Sequence, residues 1–110
     1  MADEIRLESM TVTPEVLQTI VGIATSEVEG VAGVDGTTLV DLIGGRKGIE
    51  VTADENGALT IALHVRVAYG RNMAEIAAAV QHSVADALEG MTGTQPAAVD
   101  VYVDGVVFPE

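Results

Sequence analysis

In residues 59–90, LTIALHVRVAYGRNMAEIAAAVQHSVADALEG, the hydrophobic period changes from that of a strand to that of a helix. From Leu59 to Tyr69, apolar side chains occupy every second position, which predicts a strand with one buried face. From about Asn72 to Gly90, the apolar positions follow a helical period, which predicts an amphipathic helix. Asn72 is suited to cap this helix, and Glu75 completes a weaker version of a capping box. A strand followed directly by a helix is therefore expected.

The two periods also predict which side chains are buried. The apolar stripe of the helix is made of Met73, Ile76, Ala77, Val80, Val84, Ala87, Leu88 and Met91. On the strand, one face carries Leu59, Ile61, Leu63, Val65 and Val67, and the other carries Thr60, Ala62, His64, Arg66 and Ala68. We expect the two apolar surfaces to pack together.

The first half of the chain predicts a similar order of elements. Ile5 to Val12 has the pattern of a strand, and Thr13-Pro14-Glu15 begins a helix, because Thr can cap and Pro suits the first turn. Gly30 is expected to end that helix, since glycine tolerates a positive φ. Val31 to Val34 is a candidate short strand. Ile49 to Ala53 alternates as a further strand.

The remaining elements complete the predicted fold. Asp54-Glu55-Asn56-Gly57 predicts a hairpin turn, and Val99 to Phe108 predicts a last strand, with a β-bulge at Gly105. The predicted order is β-α-β-β-α-β. It indicates an α+β two-layer sandwich in which two helices pack on one face of a mixed sheet. We expect residues 1–110 to form one domain.

Composition excludes several classes of function. Seventeen acids oppose five bases, so the formal net charge is −12, which repels nucleic-acid phosphates and anionic lipids and favours a basic partner. There is no cysteine, which excludes disulfides and thiol catalysis. No apolar run approaches the ~20 residues of a membrane span, so we expect no direct membrane insertion.

The charged groups offer no recognisable reaction centre. His64 and His82 have no carboxylate at a metal-ligand spacing, and no serine lies in a nucleophile motif. We therefore predict no catalytic residue, no metal and no cofactor. An enzyme or small-ligand binder without a recognisable motif stays open as an alternative.

The G-x-x-G stretches at residues 30–33 and 45–48 raise a nucleic-acid alternative. KH domains clamp nucleic-acid backbone with such a loop. In Gly30 to Gly33 the middle residues are Val and Ala, which cannot pair with phosphate. In the second stretch Arg46 and Lys47 have suitable chemistry, and Arg71 could assist. The net charge argues against nucleic-acid binding, but this alternative stays open, as does a protein contact through the loop Gly44–Gly48.

The predicted face opposite the helices is the candidate interaction surface. It combines basic, acidic and aromatic groups, which suits a protein contact, although an ordinary solvated sheet has similar content. The candidate residues are His64, Arg66, Asp100, Tyr102 and Asp104.

Four stretches together resemble the alkaline shock protein family of bacteria. They are TPEVLQTIVGIATSEVEGVAGV at 13–34, KGIEV at 47–51, VAYGRNMAEIAAAVQHSVADALEGMTG at 67–93 and VDVYVDGVVF at 99–108. The most distinctive is the third, with Tyr-Gly, an Asn, a helix with a central Gln, and a final Met-Thr-Gly. The resemblance extends from about Met10 to Val107.

The resemblance implies a non-enzymatic protein of the cell-envelope stress response. Members of that family are cytoplasmic, self-associate and can be held near the membrane by a separate small membrane anchor. It implies protein partners, such as that anchor or sibling proteins, and a homo-oligomer. It implies no catalytic residue.

Overall fold

The computed structural model describes residues 4–7, 10–34 and 48–108. The predictions for Arg46, Lys47 and residues 44–47 of the glycine loop lie outside these residues. The described elements are β1 (Ile5–Leu7), β2 (Met10–Val12), α1 (Pro14–Ser26), β3 (Val31–Val34), β4 (Ile49–Ala53), β5 (Leu59–Ala68), α2 (Met73–Thr92) and β6 (Ala98–Val107). The predicted α+β class and the order of helices and strands are confirmed.

Strand β5 organises the main sheet. Along its whole length it pairs in parallel with β6, from Thr60 opposite Ala98 to Ala68 opposite Val107. Its other edge pairs antiparallel with β3 near Val67 and with β4 from Leu63 to Leu59. At this same edge, the N–H of Ala68 donates to the carbonyl of Gly30 at 2.9 Å. The N–H of His64 donates to the carbonyl of Gly48 at 2.8 Å. Strands β3 and β4 therefore follow one another along one edge, and the sheet is mixed, as predicted.

The first strand differs from its prediction. Instead of one strand from Ile5 to Val12, there are two short antiparallel strands, β1 and β2, with Ile5 opposite Val12 and Leu7 opposite Met10. Ile5 and Leu7 are buried in the core. Because β1 and β2 pair with one another, their backbone N–H and C=O groups can form hydrogen bonds while the side chains of Ile5 and Leu7 are buried.

Helix α1 begins where predicted and ends earlier. Pro14 occupies the first turn, but the side chain of Thr13 makes no capping hydrogen bond. The helix ends at Ser26, and Gly30 lies in a turn closed by a 3.2 Å hydrogen bond from the N–H of Val31 to the carbonyl of Val28. Gly30 has φ +99°, so glycine is required there by the turn before β3 and not by the helix end.

Helix α2 is capped at both ends by residues of its own sequence. The Asn72 side chain accepts a hydrogen bond from the N–H of Glu75 at 3.0 Å, as the capping pattern predicts. The predicted end at Gly90 is wrong, because the helix continues to Thr92 and stops at Gly93, which has φ +80°. Gly90 has no positive φ and is accommodated within the last turn.

The core lies between the two helices and one face of the sheet. Helix α1 contacts β3, β4 and α2, and α2 also contacts β6. The predicted inner face of β5 is buried throughout, together with the centre of the α2 stripe: Leu59, Ile61, Leu63, Val65, Val67, Ile76, Val80, Val84 and Leu88. The ends of the stripe are not buried, since Met73 is 50% exposed and Met91 is 67% exposed.

Candidate interaction surface on the open sheet face

The face of the sheet opposite the helices, here called the open face, carries the five candidate side chains. Because paired residues of neighbouring strands share a face, the pairing of His64 with Tyr102 and of Ala62 with Asp100 places both strands in phase. The five side chains are His64 and Arg66 from β5, and Asp100, Tyr102 and Asp104 from β6. Parallel pairing of the strands is what brings these distant segments side by side.

His64 is held between two residues of β6. Its Nδ1 lies 2.8 Å from Oδ2 of Asp104, and its ring stacks on the ring of Tyr102 with centroids 4.7 Å apart and planes 15° apart. These contacts limit the rotation of the imidazole and hold Tyr102 in one orientation while 49% of Tyr102 stays exposed. A large side chain fixed in advance loses little conformational entropy when it binds a partner.

A β-bulge shapes the end of this surface. Val103 pairs with Val65 and Gly105 pairs with Arg66, so Asp104 is the extra residue of β6, and the predicted bulge at Gly105 is confirmed. A Cβ on Gly105 would lie 3.2 Å from Cγ of Arg66, so the stem of Arg66 crosses the glycine. Within the described residues, Arg66 forms no ion pair and its guanidinium stays accessible.

The contacts bring together His64, Tyr102 and Asp104, whereas Asp100 and Arg66 are neighbours on the same face without a direct bond to this trio. Whether these side chains form a binding surface stays a prediction.

The prediction of the surface omitted two aromatic residues. Tyr69 and Phe108 follow the ends of β5 and β6, with ring centroids 4.8 Å apart, and they are 61% and 67% exposed. With Tyr102, every aromatic ring of the chain is therefore exposed. The low number of aromatic residues could have indicated this. The chain has only three of them, and its apolar pattern can be filled by aliphatic side chains alone.

The residues of the alternative hypotheses lie elsewhere. Arg71 is paired with Glu29 at 3.3 Å, which reduces its availability to a phosphate. His82 lies on the exposed surface of α2, 3.1 Å from Asp86 four residues later, so the prediction that no carboxylate is spaced to join it is wrong. Among residues 4–7, 10–34 and 48–108, no group of three or more potential ligands is placed to hold a metal ion. No helix in this part of the chain has the length and apolar character needed to cross a membrane.

A groove of about 500 Å³ runs between α1 and α2 on the side away from the sheet. Its walls are apolar at Ile20, Ile23 and Met91. Its one hydroxyl, from Ser83, donates to the carbonyl of Ala24 at 3.0 Å and thereby ties the two helices together. The serine serves packing, and Glu27, His82 and Asp86 add charged groups to the lining of the groove.

Comparison with known families agrees with the resemblance noted in the sequence. The model of the alkaline shock protein 23 family, described as having a cell envelope-related function, matches residues 2–108. The chain belongs to this family.

Two curated members of similar length are related to this chain. The uncharacterized protein Spy1535 of Streptococcus pyogenes serotype M6 is 30% identical over 101 residues, covering 89% of this chain and 78% of that protein. The uncharacterized protein YqhY of Bacillus subtilis is 31% identical over 112 residues, covering 96% and 82%.

Solved structures with a similar fold include variants of MamM CTD. One has a TM-score of 0.54 at 16% identity and covers 83% of this chain and 95% of its own. Another has a TM-score of 0.52 at 17% identity and covers 87% and 95%. At this level of identity the likeness shows the fold alone.

Proposed function

We propose that this family member is a non-enzymatic protein-interaction module of the cell envelope, which acts from the cytoplasmic side and reaches the membrane through a partner anchor. The observation that carries the proposal is the exposed Tyr102, oriented by its stack on His64, whose ring is in turn bonded to Asp104. In this proposal the open face supplies the contacts, with Arg66 and Asp100 at its margins.

The distribution of aromatic residues supports a binding role. The described core consists of aliphatic side chains, and the three aromatic residues lie at the surface. Tyrosine and arginine are among the residues that contribute most to binding energy at protein interfaces. Tyr102 and Arg66 provide one of each on the open face.

Charge indicates the kind of partner. A net charge of −12 opposes binding to a bare anionic membrane and favours association with a basic protein. A membrane anchor with a basic cytoplasmic segment fits this requirement. Other members of the same family, or further copies of this chain, are additional partners in this proposal. Self-association would have to overcome the repulsion between copies that each carry a charge of −12.

The test replaces His64, Arg66 and Tyr102 together by serine. Tagged wild-type and variant proteins are purified from gently solubilised native cells, and the proteins that accompany them are identified. We expect the variant to keep its circular dichroism spectrum and lose the partner. A matched control replaces the exposed Glu75, His82 and Met91 of α2 by serine and should retain the partner.

Each result has a defined meaning. Retention of the partner by the open-face variant would contradict the proposed site. RNA that stays bound to the wild-type protein at moderate salt would favour the KH-like alternative and move attention to Arg46 and Lys47. Analytical ultracentrifugation of the wild-type protein tests for the homo-oligomer.

A further inference from the structure

Strand β6 has one edge that no other strand pairs with in the part of the chain that the structure describes. Its other edge pairs with β5 from Ala98 to Val107, so β6 lies at the margin of the main sheet. It is ten residues long. A long strand at a sheet margin presents unpaired N–H and C=O groups, which serve as a template for a further strand.

Side chains on both faces of β6 leave apolar surface uncovered. On the helix side, Val103 and Val106 pair with buried residues of β5 and are nevertheless 36% and 42% exposed. On the open face Val107 is 41% exposed, and Phe108, just beyond the strand, is 67% exposed. Because α2 leaves Val103 and Val106 partly exposed, a further strand beside β6 would bury apolar surface on both sides at once.

The two faces of β6 differ in charge. Asp100 and Asp104 lie on the open face, and Val99, Val101 and Val103 lie on the helix side. Cross-strand neighbours share a face, so an added strand complements this pattern when its residues alternate between basic and apolar. The regular segment Ala98–Val103, before the bulge, gives six residues for pairing.

From the free edge, the exposed valines and the one-sided aspartates, we propose that β6 binds an extended segment of a partner protein with alternating basic and apolar residues, by strand addition. This inference rests on the proposed interaction role and names the partner's chemistry. It uses the backbone edge, the helix-side valines and the two open-face aspartates of β6, rather than His64, Arg66 and Tyr102.

A second copy of the chain suits this edge less well than a basic segment. Two copies each carry a charge of −12 and repel one another. When the faces of two antiparallel β6 strands coincide, the open-face aspartates of both copies lie on one face of the joined sheet, and like charges on neighbouring strands are destabilising. The occupant with complementary charge is therefore a basic strand.

The first test measures binding of the wild-type protein to a short capped peptide of alternating lysine and valine by isothermal titration calorimetry. The control peptide has the same composition, arranged as a lysine block followed by a valine block. Its charge is the same, but as a strand it places lysines on both faces. We expect the block peptide to bind at least about tenfold more weakly. Equal affinity would overturn the proposal, because charge alone would then account for binding.

Backbone pairing needs its own measurement. A version of the alternating peptide with N-methyl groups on its central residues keeps the side chains and charge but cannot form the ladder, so we expect it not to bind. Amide hydrogen exchange of the protein should slow within Ala98–Val103 when the unmodified peptide binds. Binding without slower exchange there would contradict strand addition.

Variants of the protein separate this edge from the open face. Val103→Lys and Val106→Lys, each checked for folding by its melting temperature, place a charge at the edge and should weaken peptide binding by about tenfold. Val16→Lys makes the same change of charge at a 48% exposed position of α1 and should bind as the wild type does.

Two further outcomes are distinguishable. In the first, the open-face serine variant loses the native partner but still binds the alternating peptide. This result would support both proposals and show that the two contacts are separate. A dimer of the wild-type protein that Val103→Lys dissociates would overturn the basic occupant in favour of a second copy.

Discussion

Gly30 and Ile76 are in contact across the junction between the turn before β3 and the first turn of α2. A Cβ built on Gly30 would lie 2.8 Å from Cδ1 and 2.9 Å from Cγ1 of Ile76, closer than carbon atoms approach in proteins. Ile76 is itself 5% exposed and belongs to the core. Glycine is therefore required at this position for two reasons, its φ of +99° and the absence of space.

Replacing Gly30 by valine should destabilise the protein by about 1 to 3 kcal/mol, because a β-branched residue resists a positive φ and must displace Ile76. Thermal and urea denaturation measure the loss. Gly90→Ala is the control, since a Cβ there would meet no atom within 4 Å and the helix gains from alanine. That variant should be more stable by about 0.5 to 1 kcal/mol. An unchanged melting temperature for Gly30→Val would contradict the turn described here.

Thr25 provides the opposite case, a buried polar group whose removal should help. Its side chain is fully buried, and its Oγ1 has no hydrogen-bond partner among residues 4–7, 10–34 and 48–108. Thr25→Val keeps the shape and removes the unsatisfied hydroxyl, so stability should rise by about 1 kcal/mol. Urea unfolding monitored by circular dichroism gives the difference in free energy.

The matched control for that substitution is Thr92→Val in α2. The hydroxyl of Thr92, which is 8% exposed, donates to the carbonyl of Leu88 at 2.6 Å and accepts from the N–H of Thr94 at 3.2 Å. Its loss should destabilise by about 1 kcal/mol. If both variants shifted stability in the same direction, hydrogen bonding would not be the cause.

Leu88 and Met91 test how far the apolar stripe of α2 reaches the core. Leu88 is fully buried, whereas Met91 is 67% exposed. Leu88→Ala should cost about 2 to 5 kcal/mol through lost apolar burial and the cavity left behind. Met91→Ala should change stability by less than about 0.5 kcal/mol. Similar losses for the two variants would mean that the last turn of α2 is covered in solution.

The two helix N-caps should differ in strength. The Asn72 side chain accepts from the N–H of Glu75, whereas the side chain of Thr13 makes no capping bond. Asn72→Ala should therefore cost about 1 kcal/mol, and Thr13→Ala only a few tenths. Differential scanning calorimetry resolves the two, and an equal effect would indicate that Thr13 also caps in solution.

Local patterns predicted much of this fold. The alternation in β5 and the period of α2 depend on neighbours within a few residues, and both elements were predicted within a few residues of their bounds. The Asn72 cap and the bulge at Gly105 are also local features. The ends of the helices were less predictable, because a glycine need not end a helix. Gly30 serves the turn before β3, and Gly90 lies within the last turns of α2.

The candidate surface was predictable in part for a similar reason. Strand alternation placed His64 and Arg66 on one face and Tyr102 on one face of another strand. Placing them on the same face required an assumed phase between the strands, and alternation could not reveal that Tyr102 stacks on His64 or that Tyr69 and Phe108 lie together. Those contacts depend on how β5 and β6 pair.

The period of each element, the acidic charge, the aliphatic core and the family follow from composition or from residues close together in the chain. Folding in three dimensions places β3 and β4 along one edge of β5 and β6 in parallel along the other, and it brings Asp104 to a histidine forty residues away. Pairing of distant strands depends on which apolar faces are buried together, and no local pattern encodes the choice of neighbour.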